Sequence, residues 1–327
     1  MNYALTELKE QWPWLRNYHS KMLQMIAKRV AVARKTAKAG CLSCRSIECF
    51  NAFTYNQTGF KFDNDILHLS KIGPIKVVLH RQPVHIKQVT VCRKNGCWYA
   101  VVTCQIFRKQ SSNIIYLKPV GIDVGITKFA HDSDNNVVEN PQFLTKMLKP
   151  LRRYHRRVSR KQHGSRNYAK AKHMLAKLYQ RVSNKRRDFL HKTSTYYCSR
   201  YDLIFLERLR ATNLSKNRRL ARKILDASWS TFKTMCQYKA NRIVEVEPAY
   251  SSVDCSVCGQ RVPKSLAVRS HSFPKCRAVL DRDYNSAINH LQNGLKMLHL
   301  PAERREVTPV EIALQSMKQE THASRHE

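Results

Sequence analysis

Strand-like alternation of apolar and polar residues dominates the stretch from Phe62 to Ile106. Within it, KQVTVCRKNGCWYAVVTCQI places Asn95-Gly96 at the centre of a β-hairpin, because this dipeptide readily adopts the positive φ angles of a tight turn. The pattern predicts a β-rich module over residues 61–112. Residues 1–60 begin with apolar side chains at helical spacing, which predicts a helical N-terminal segment.

After residue 112 the pattern changes to short apolar runs separated by longer amphipathic stretches. IIYLKPVGIDVGITKFAH predicts a buried strand and the start of a second hairpin. YDLIFLE is too short for a stable helix and predicts a strand that is buried on both faces. A helix over about 227–240 and a further strand in NRIVEV continue the series. Alternating strands and helices predict an α/β domain over residues 113–300, followed by a C-terminal tail at 301–327.

The stretch from Lys149 to Arg187 contains 15 Lys and Arg residues and no Asp or Glu. Its leucines and valines keep helical spacing on either side of QHGSR, which predicts a basic helical hairpin over residues 146–200. A solvated face normally mixes charge signs, and a wholly positive face repels itself unless a polyanion lies on it. We therefore favour nucleic-acid contact through phosphates. The residues predicted to make it are Arg152, Arg153, Arg156, Arg157, Arg160, Lys161, Arg181, Lys185, Arg186 and Arg187.

The composition supports a polyanionic partner. The 327 residues include 59 Lys and Arg against 23 Asp and Glu, which gives a formal net charge of +36. Nucleic acid fits this charge, since phosphate neutralisation releases counterions, and an anionic membrane surface is the competing interpretation. No apolar run approaches the roughly 18–20 residues of a spanning helix, and the start lacks a signal-peptide pattern. We expect a soluble, cytoplasmic protein whose 11 cysteines are reduced thiols.

A candidate zinc knuckle lies in residues 250–279. Cys255 and Cys258 have the two-residue separation with which thiolates share one tetrahedral ion. A second pair should follow, but FPKC offers only Cys276 and has Phe273 where the other thiolate is expected. His271 could complete a Cys₃His zinc site. A loop without metal is the alternative, and the sequence leaves both open.

Three carboxylates stand where a folded sheet could bring them together. Asp123 and Glu207 each lie at the C-terminal end of a predicted buried strand, where the ligand crevice of α/β sheets is found. Asp283 opens a predicted helix, although Asp281 or Asp283 could simply cap it. Phosphodiester hydrolysis uses divalent ions held by such carboxylates, and Mg²⁺ takes few of them. The set predicts a Mg²⁺-dependent nuclease.

Several motifs in the same order resemble the TnpB (OrfB-type) proteins of bacterial and archaeal insertion sequences. They are GIDVGI, LIFLERLRATNL, NRRLARKILDASWSTF, PAYSSVDCSVCG and VLDRDYNSAIN, and the similarity runs from about residue 8 to 313. The resemblance implies an RNA-guided DNA endonuclease with a RuvC-like domain of RNase H fold. It implies that Asp123, Glu207 and Asp283 are the metal-binding catalytic acids. It also implies that the N-terminal helices and the β-rich module hold a guide RNA and the target DNA.

Three departures from the family pattern accompany this resemblance. The chain resembles a copy that lacks a basic strand and helix before residue 8, and it is shorter at the junction of Ala240 and Asn241. Phe273 replaces the usual Cys and Arg277 the usual Gly, which makes the zinc finger degenerate. We therefore keep two alternatives to an active nuclease. One is a catalytically inactive nucleic-acid-binding remnant or repressor of a decayed insertion sequence, and the other is a DNA-joining transposase that uses the same acids.

Overall fold

The computed structural model describes residues 2–36, 51–105, 118–209, 216–217, 220–263 and 268–300. The chain divides into two compact units, residues 1–112 and 113–327. None of the described helices combines the length and the apolar composition needed to cross a membrane.

The first unit combines helices with antiparallel strands. Its β1-β5-β6 and β2-β3-β4 sheets each have three strands. The hairpin predicted at Asn95-Gly96 forms between β5 and β6, and both turn residues have positive φ angles of 50° and 84°. The elements are α1 (Asn2–Gln11), a 3₁₀ helix (Pro13–Asn17), α2 (Ser20–Thr36), β1 (Ala52–Asn56), β2 (Phe60–Asp63), β3 (Ile66–Leu69), β4 (Gly73–Lys76), β5 (Ile86–Lys94) and β6 (Cys97–Cys104).

Strand β1 differs from the helical segment expected over residues 1–60. Tyr55 and Thr54 of this strand are buried, and the strand pairs along its whole length with β5. Five residues are too few to show a clear two-residue period, so the strand depends on a partner more than 30 positions away.

The second unit is built around a five-stranded mixed sheet with the order β11-β10-β7-β8-β9. Strands β11, β10 and β7 are parallel, whereas β8 and β9 are antiparallel to their neighbours. The apolar runs predicted as strands form β7, β10 and β11, and the mixed α/β class is confirmed. The strands are β7 (Pro119–Val124), β8 (Lys128–Asp132), β9 (Val137–Glu139), β10 (Leu203–Glu207), β11 (Arg242–Val246), β12 (Ser270–Ser272) and β13 (Val279–Asp281).

Helices surround this sheet. The basic segment forms the two helices α4 and α5, and Ser165 caps α5 by accepting a hydrogen bond from the Tyr168 amide at 3.1 Å. Phe129, Tyr197 and Phe232 are among the buried side chains that form the core between sheet and helices. The helices are α3 (Phe143–Lys146), α4 (Leu148–Ser159), α5 (Arg166–Arg200), α6 (Ala221–Ala227), α7 (Trp229–Lys239) and α8 (Arg282–Met297).

Helix α8 lies directly on the other face of the sheet because two glycines permit it. A Cβ atom on Gly121 of β7 would stand 2.1 Å from the Ala287 carbonyl oxygen, and one on Gly294 would stand 2.0 Å from the Phe205 ring. Any larger residue would force helix and sheet apart. The close approach brings the side chains of α8 to the C-terminal ends of β7 and β10.

Candidate functional site

Two of the three predicted catalytic acids meet at the edge where β7 and β10 end. These strands are parallel neighbours in which Ile122 lies opposite Leu206, so Asp123 and Glu207 occupy the next position of each strand. Helix α8 adds His290 to the pair. One ligand atom from each of Asp123, Glu207 and His290 lies within 4.8 Å of the other two. The arrangement is a small cluster of two oxygen donors and one nitrogen donor.

His290 was not singled out from the sequence. The available signal was its spacing, since His290 follows Asp283 by seven residues and therefore lies two turns further along the same face of α8. Helical spacing gives the face, but only the packing of α8 on the sheet shows that this face meets Asp123.

The electrostatics of the cluster favour a cation. Burial raises the pKa of Glu207 above its ordinary value and the charge of Asp123 raises it further, while His290 acts in the opposite direction. Among the described residues no Lys or Arg forms an ion pair with either carboxylate. A divalent ion would neutralise the two half-buried charges, and carboxylate oxygens suit such an ion. The residues present therefore fit a metal site.

Asp283, the third predicted acid, lies outside this cluster in the described structure. It is buried in the first turn of α8, and Arg269 and Arg282 each approach its carboxylate at 3.4 Å. Its place one turn before Ser286, whose hydroxyl contacts Asp123 at 3.2 Å, keeps it on the side of the helix that faces the site. Its role as a metal ligand stays a prediction.

Asp281 is the residue that caps α8. Its carboxylate accepts hydrogen bonds from the amides of Asp283 at 2.9 Å and Tyr284 at 3.2 Å. Lys128 also contacts it at 3.1 Å. The capping role that the sequence allowed for either Asp281 or Asp283 therefore belongs to Asp281.

The three predicted cysteine ligands converge in two turns of matching geometry. The sulfur atoms of Cys255, Cys258 and Cys276 lie within 4.8 Å of one another. In the first turn the Gly259 amide donates to the Cys255 carbonyl at 2.9 Å. In the second turn the Arg277 amide donates to the Phe273 carbonyl at 2.8 Å. Phe273 thus takes, in the second turn, the place that Cys255 has in the first.

The predicted Cys₃His set is not assembled as a cluster. His271 is buried in β12 with its ring centre 5.8 Å from that of Phe273, and it is not part of the group of three sulfurs. Burial raises the pKa of Cys255 to about 11, whereas the amide of Gln260 lowers the pKa of the half-buried Cys258. Three thiols provide three of the four ligands that a structural zinc ion takes.

Nine of the ten predicted phosphate-binding residues are exposed on α4, α5 and the loop that joins them. Arg186 differs, because its guanidinium is bound to Asp226, a buried residue. A buried carboxylate is costly without a partner charge, and the guanidinium of Arg186 supplies that charge from α5. Arg186 is therefore held by an ion pair with a buried carboxylate, whereas the other nine side chains are exposed.

Comparison with known proteins identifies the family. Residues 114–218 match the family model OrfB_IS605, described as "Probable transposase", and residues 229–290 match a Cas12f1-like TNB domain. The chain is 30% identical over 315 residues to "Putative RNA-guided DNA endonuclease InsQ" of Escherichia coli, which covers 87% of this chain and 77% of the relative. The chain belongs to the TnpB (OrfB-type) family.

A second TnpB-family relative comes from Streptomyces pristinaespiralis and is named "Putative RNA-guided DNA endonuclease". It is 34% identical over 257 residues, which cover 74% of this chain and 62% of the relative's own length. A solved Cas12f1–sgRNA–target DNA complex aligns over 75% of this chain and 67% of that chain, with a TM-score of 0.37 and 14% identity.

Proposed function

We propose that this TnpB-family chain is an RNA-guided DNA endonuclease that hydrolyses phosphodiester bonds at a metal site in a RuvC-like domain. The observation that carries the proposal is the convergence of Asp123 and Glu207 at the ends of two adjacent parallel strands. The names of the two relatives support it, since each is called an RNA-guided DNA endonuclease.

The side chains at the cluster have distinct tasks in this proposal. Asp123 and Glu207 hold a divalent ion, which we take to be Mg²⁺ or a close equivalent, and Asp283 approaches it from the first turn of α8. The bound ion supplies Lewis-acid activation of water and of the scissile phosphate. The Ser286 hydroxyl, 3.2 Å from Asp123 Oδ1, fixes the orientation of that carboxylate. Glu207 is partly buried, and α8 packs against the sheet beside both carboxylates. Together these features limit the access of bulk water to the carboxylates.

Binding of nucleic acid falls to the basic helical hairpin. The nine exposed arginines and lysines on α4, on α5 and in the loop that joins them offer phosphate contacts without reading base sequence. Target choice then rests on pairing with a bound RNA, while the protein contacts backbone and shape. We assign the holding of guide RNA and target DNA in part to the first unit, with its N-terminal helices and its β-rich module.

The deciding experiment is cleavage of a matched plasmid by the full chain, co-expressed with RNA transcribed from its own flanking DNA. Wild type is expected to cut in the presence of a divalent ion, and Asp123→Ala is expected to bind the same RNA and DNA without cutting. Asp188→Ala is a matched control, because Asp188 is an exposed acid whose ion pair in the described structure is with Lys192 on α5. Equal cutting by Asp123→Ala would contradict the site assignment.

A nucleic-acid-binding protein without nuclease activity is the second candidate function. The burial of Phe273 at a position equivalent to a zinc ligand favours this second function. The cysteine turns pack against α8, so a loss of zinc binding there would weaken the packing that holds α8 at the carboxylate cluster. It predicts salt-sensitive binding of RNA and DNA and no loss of substrate integrity in the presence of divalent ions. Joined strands in the same gel would instead indicate a transposase.

A further inference from the structure

His290 is a fully buried imidazole at the carboxylate cluster. Its Nε2 atom lies 3.5 Å from Asp123 Oδ1 and 3.3 Å from the Ser286 hydroxyl. Its other ring nitrogen, Nδ1, has no hydrogen-bond partner among the residues that the structure describes. A buried polar atom without a partner costs about 1–3 kcal/mol. An apolar side chain would fill this place at lower cost, so the imidazole calls for a chemical explanation.

We propose that His290 is a nitrogen ligand to the ion that Asp123 and Glu207 bind, and that this nitrogen makes the site prefer Mn²⁺ to Mg²⁺. The inference rests on the metal site of the proposed function and adds a residue and a metal preference to it. Its first support is distance, since the donor atoms of all three residues lie within 4.8 Å of one another.

The second support is the chemistry of the ring. A neutral imidazole with its proton on Nδ1 presents the Nε2 lone pair to the carboxylates, which is the form that binds metals. The alternative is that Nε2 carries the proton and donates it to Asp123 or to the Ser286 hydroxyl, 3.3 Å away, which would make His290 a positioning residue. The separation of 3.5 Å from Asp123 is long for a hydrogen bond, and the nitrogen coupling measured below separates the ligand from the donor to Ser286. The space between the two atoms suits an ion that both would contact.

The third support is the donor set. Mg²⁺ prefers oxygen ligands and retains several waters, so it gains little from an imidazole. First-row transition ions bind imidazole nitrogen more strongly, and Mn²⁺ also accepts carboxylate oxygens. Two carboxylates and one imidazole together match Mn²⁺ better than they match Mg²⁺. The ionic size and charge of Mn²⁺ still allow phosphodiester hydrolysis.

The test is electron paramagnetic resonance of Mn²⁺ bound to the chelator-treated full chain. Pulsed measurements detect a ¹⁴N nucleus that is directly coordinated to Mn²⁺. We expect that coupling in wild type and its loss in His290→Leu, together with a fall of about 10- to 100-fold in Mn²⁺ affinity. Mg²⁺ affinity, measured by competition, should fall much less. Thermal unfolding without metal should show that His290→Leu is folded.

His131→Leu is the matched control. His131 is also buried and lies opposite Asp123 in the β7–β8 register, but it is outside the cluster of donor atoms. It contacts Asn135 and Asp281 instead. The ¹⁴N coupling and the Mn²⁺ affinity should persist in this variant.

Each outcome decides between the two proposals. Mn²⁺ binding without nitrogen coupling, or an unchanged Mn²⁺ affinity in His290→Leu, overturns the ligand role. Cleavage by wild type with equal Mn²⁺ and Mg²⁺ affinities overturns the metal preference and leaves the nuclease proposal standing. Nitrogen-coordinated Mn²⁺ in a wild-type protein that does not cut supports His290 as a ligand and overturns the nuclease proposal.

Discussion

Phe273 and Cys255 occupy equivalent positions in two turns of matching geometry, one with a phenyl ring where the other has a thiol. Each residue accepts, through its carbonyl, the amide hydrogen of the residue four positions later. Those later residues, Gly259 and Arg277, both have positive φ angles, of 73° and 58°. Glycine adopts this conformation without strain and arginine does not. The two substitutions in the second turn, Phe273 for Cys and Arg277 for Gly, therefore fall on the positions that supply the metal ligand and the positive φ angle.

Replacing Phe273 with cysteine should create a four-cysteine zinc site. Phe273→Cys adds the missing fourth thiolate beside three sulfurs that are already within 4.8 Å of one another. We expect zinc affinity to rise by about tenfold or more over wild type, because a structural zinc site is normally four-coordinate. Metal analysis after dialysis against a weak chelator, and the visible spectrum of the Co²⁺ form, measure this gain.

The control for that substitution is Phe273→Ala. It makes a similar cavity without a thiolate, so it should lose about 3–5 kcal/mol of stability and gain no metal. If Phe273→Cys binds no more zinc than Phe273→Ala, the two turns match in backbone geometry but do not form a metal site together.

Neutralising Glu207 should stabilise the metal-free protein while weakening its response to metal. Burial and the Asp123 charge both raise the pKa of Glu207, so its ionised form is unfavourable in the folded chain at neutral pH. Glu207→Gln removes that charge and keeps the shape. In the presence of a chelator we expect a melting temperature about 2–4 °C above wild type. With excess divalent ion the order should reverse, because wild type gains more binding energy than a variant that has lost one carboxylate ligand.

The comparison variant is Glu245→Gln. Glu245 lies on the neighbouring strand β11 and is paired with Lys233 at 2.9 Å. Its neutralisation should give neither the stabilisation nor the loss of metal response. A melting temperature of Glu207→Gln below wild type in chelator would show that the carboxylate charge is compensated within the fold.

A methyl group at Gly121 should separate α8 from the sheet. The new Cβ would stand 2.1 Å from the Ala287 carbonyl oxygen, which belongs to a helix backbone and cannot rotate away. We expect Gly121→Ala to destabilise the protein by more than the 1–3 kcal/mol typical of overpacking and to abolish cleavage. Thermal unfolding and the plasmid assay measure the two effects.

Gly125→Ala is the milder counterpart on the same segment. Among the described residues a Cβ there meets one backbone atom, the Lys128 carbonyl oxygen at 3.0 Å, in the turn between β7 and β8. Its effect on stability should be clearly smaller. Equal destabilisation by both variants would show that the contact between Gly121 and α8 is not the cause.

The basic residues of the helical hairpin should separate into two groups. Arg186→Ala leaves the buried Asp226 carboxylate without its guanidinium, which should cost about 3–5 kcal/mol of stability. The triple variant Arg152→Ser, Arg156→Ser and Arg160→Ser removes exposed charges along one face of α4 and at its C-terminal cap, and it should leave stability nearly unchanged. Its nucleic-acid affinity should depend less on salt, with a slope shallower by about 2–3.

Filter binding at several salt concentrations and chemical unfolding distinguish the groups. A triple variant that keeps the wild-type salt slope would show that this face of α4 does not contact phosphates. Arg187→Ala, which removes an exposed arginine next to Arg186, is the control for loss of one positive charge.

Much of the second unit could be predicted from sequence because its strands are short, continuous apolar runs. The segment that forms β10 is apolar up to Glu207, and a strand buried on both faces leaves little ambiguity. The basic hairpin was equally accessible, since two amphipathic patterns flank a polar loop with a glycine. Membership of the TnpB family followed from five motifs in order, and the relatives confirm it.

Other features depend on packing that sequence spacing does not encode. His290 reaches Asp123 only because Gly121 lets α8 approach β7, and the face of a helix that meets a sheet is not visible in a 3.6-residue period. The sequence does not distinguish Arg186 from its basic neighbours, because its ion pair with Asp226 joins residues 40 positions apart. Burial of Phe273 likewise shows that the altered ligand position is filled by packing.

The close contact of α8 with β7 also sets the order in which the site is completed. Ser286 and Asp123 are in contact although 163 positions separate them, and α8 is the last described element that the ribosome releases. Domains generally fold as units, and N-terminal domains fold first during synthesis. The carboxylates of β7 and β10 are therefore made long before their helical partner. A nascent chain passes through most of its synthesis with an incomplete site, and the ability to bind the ion arises together with the final docking step.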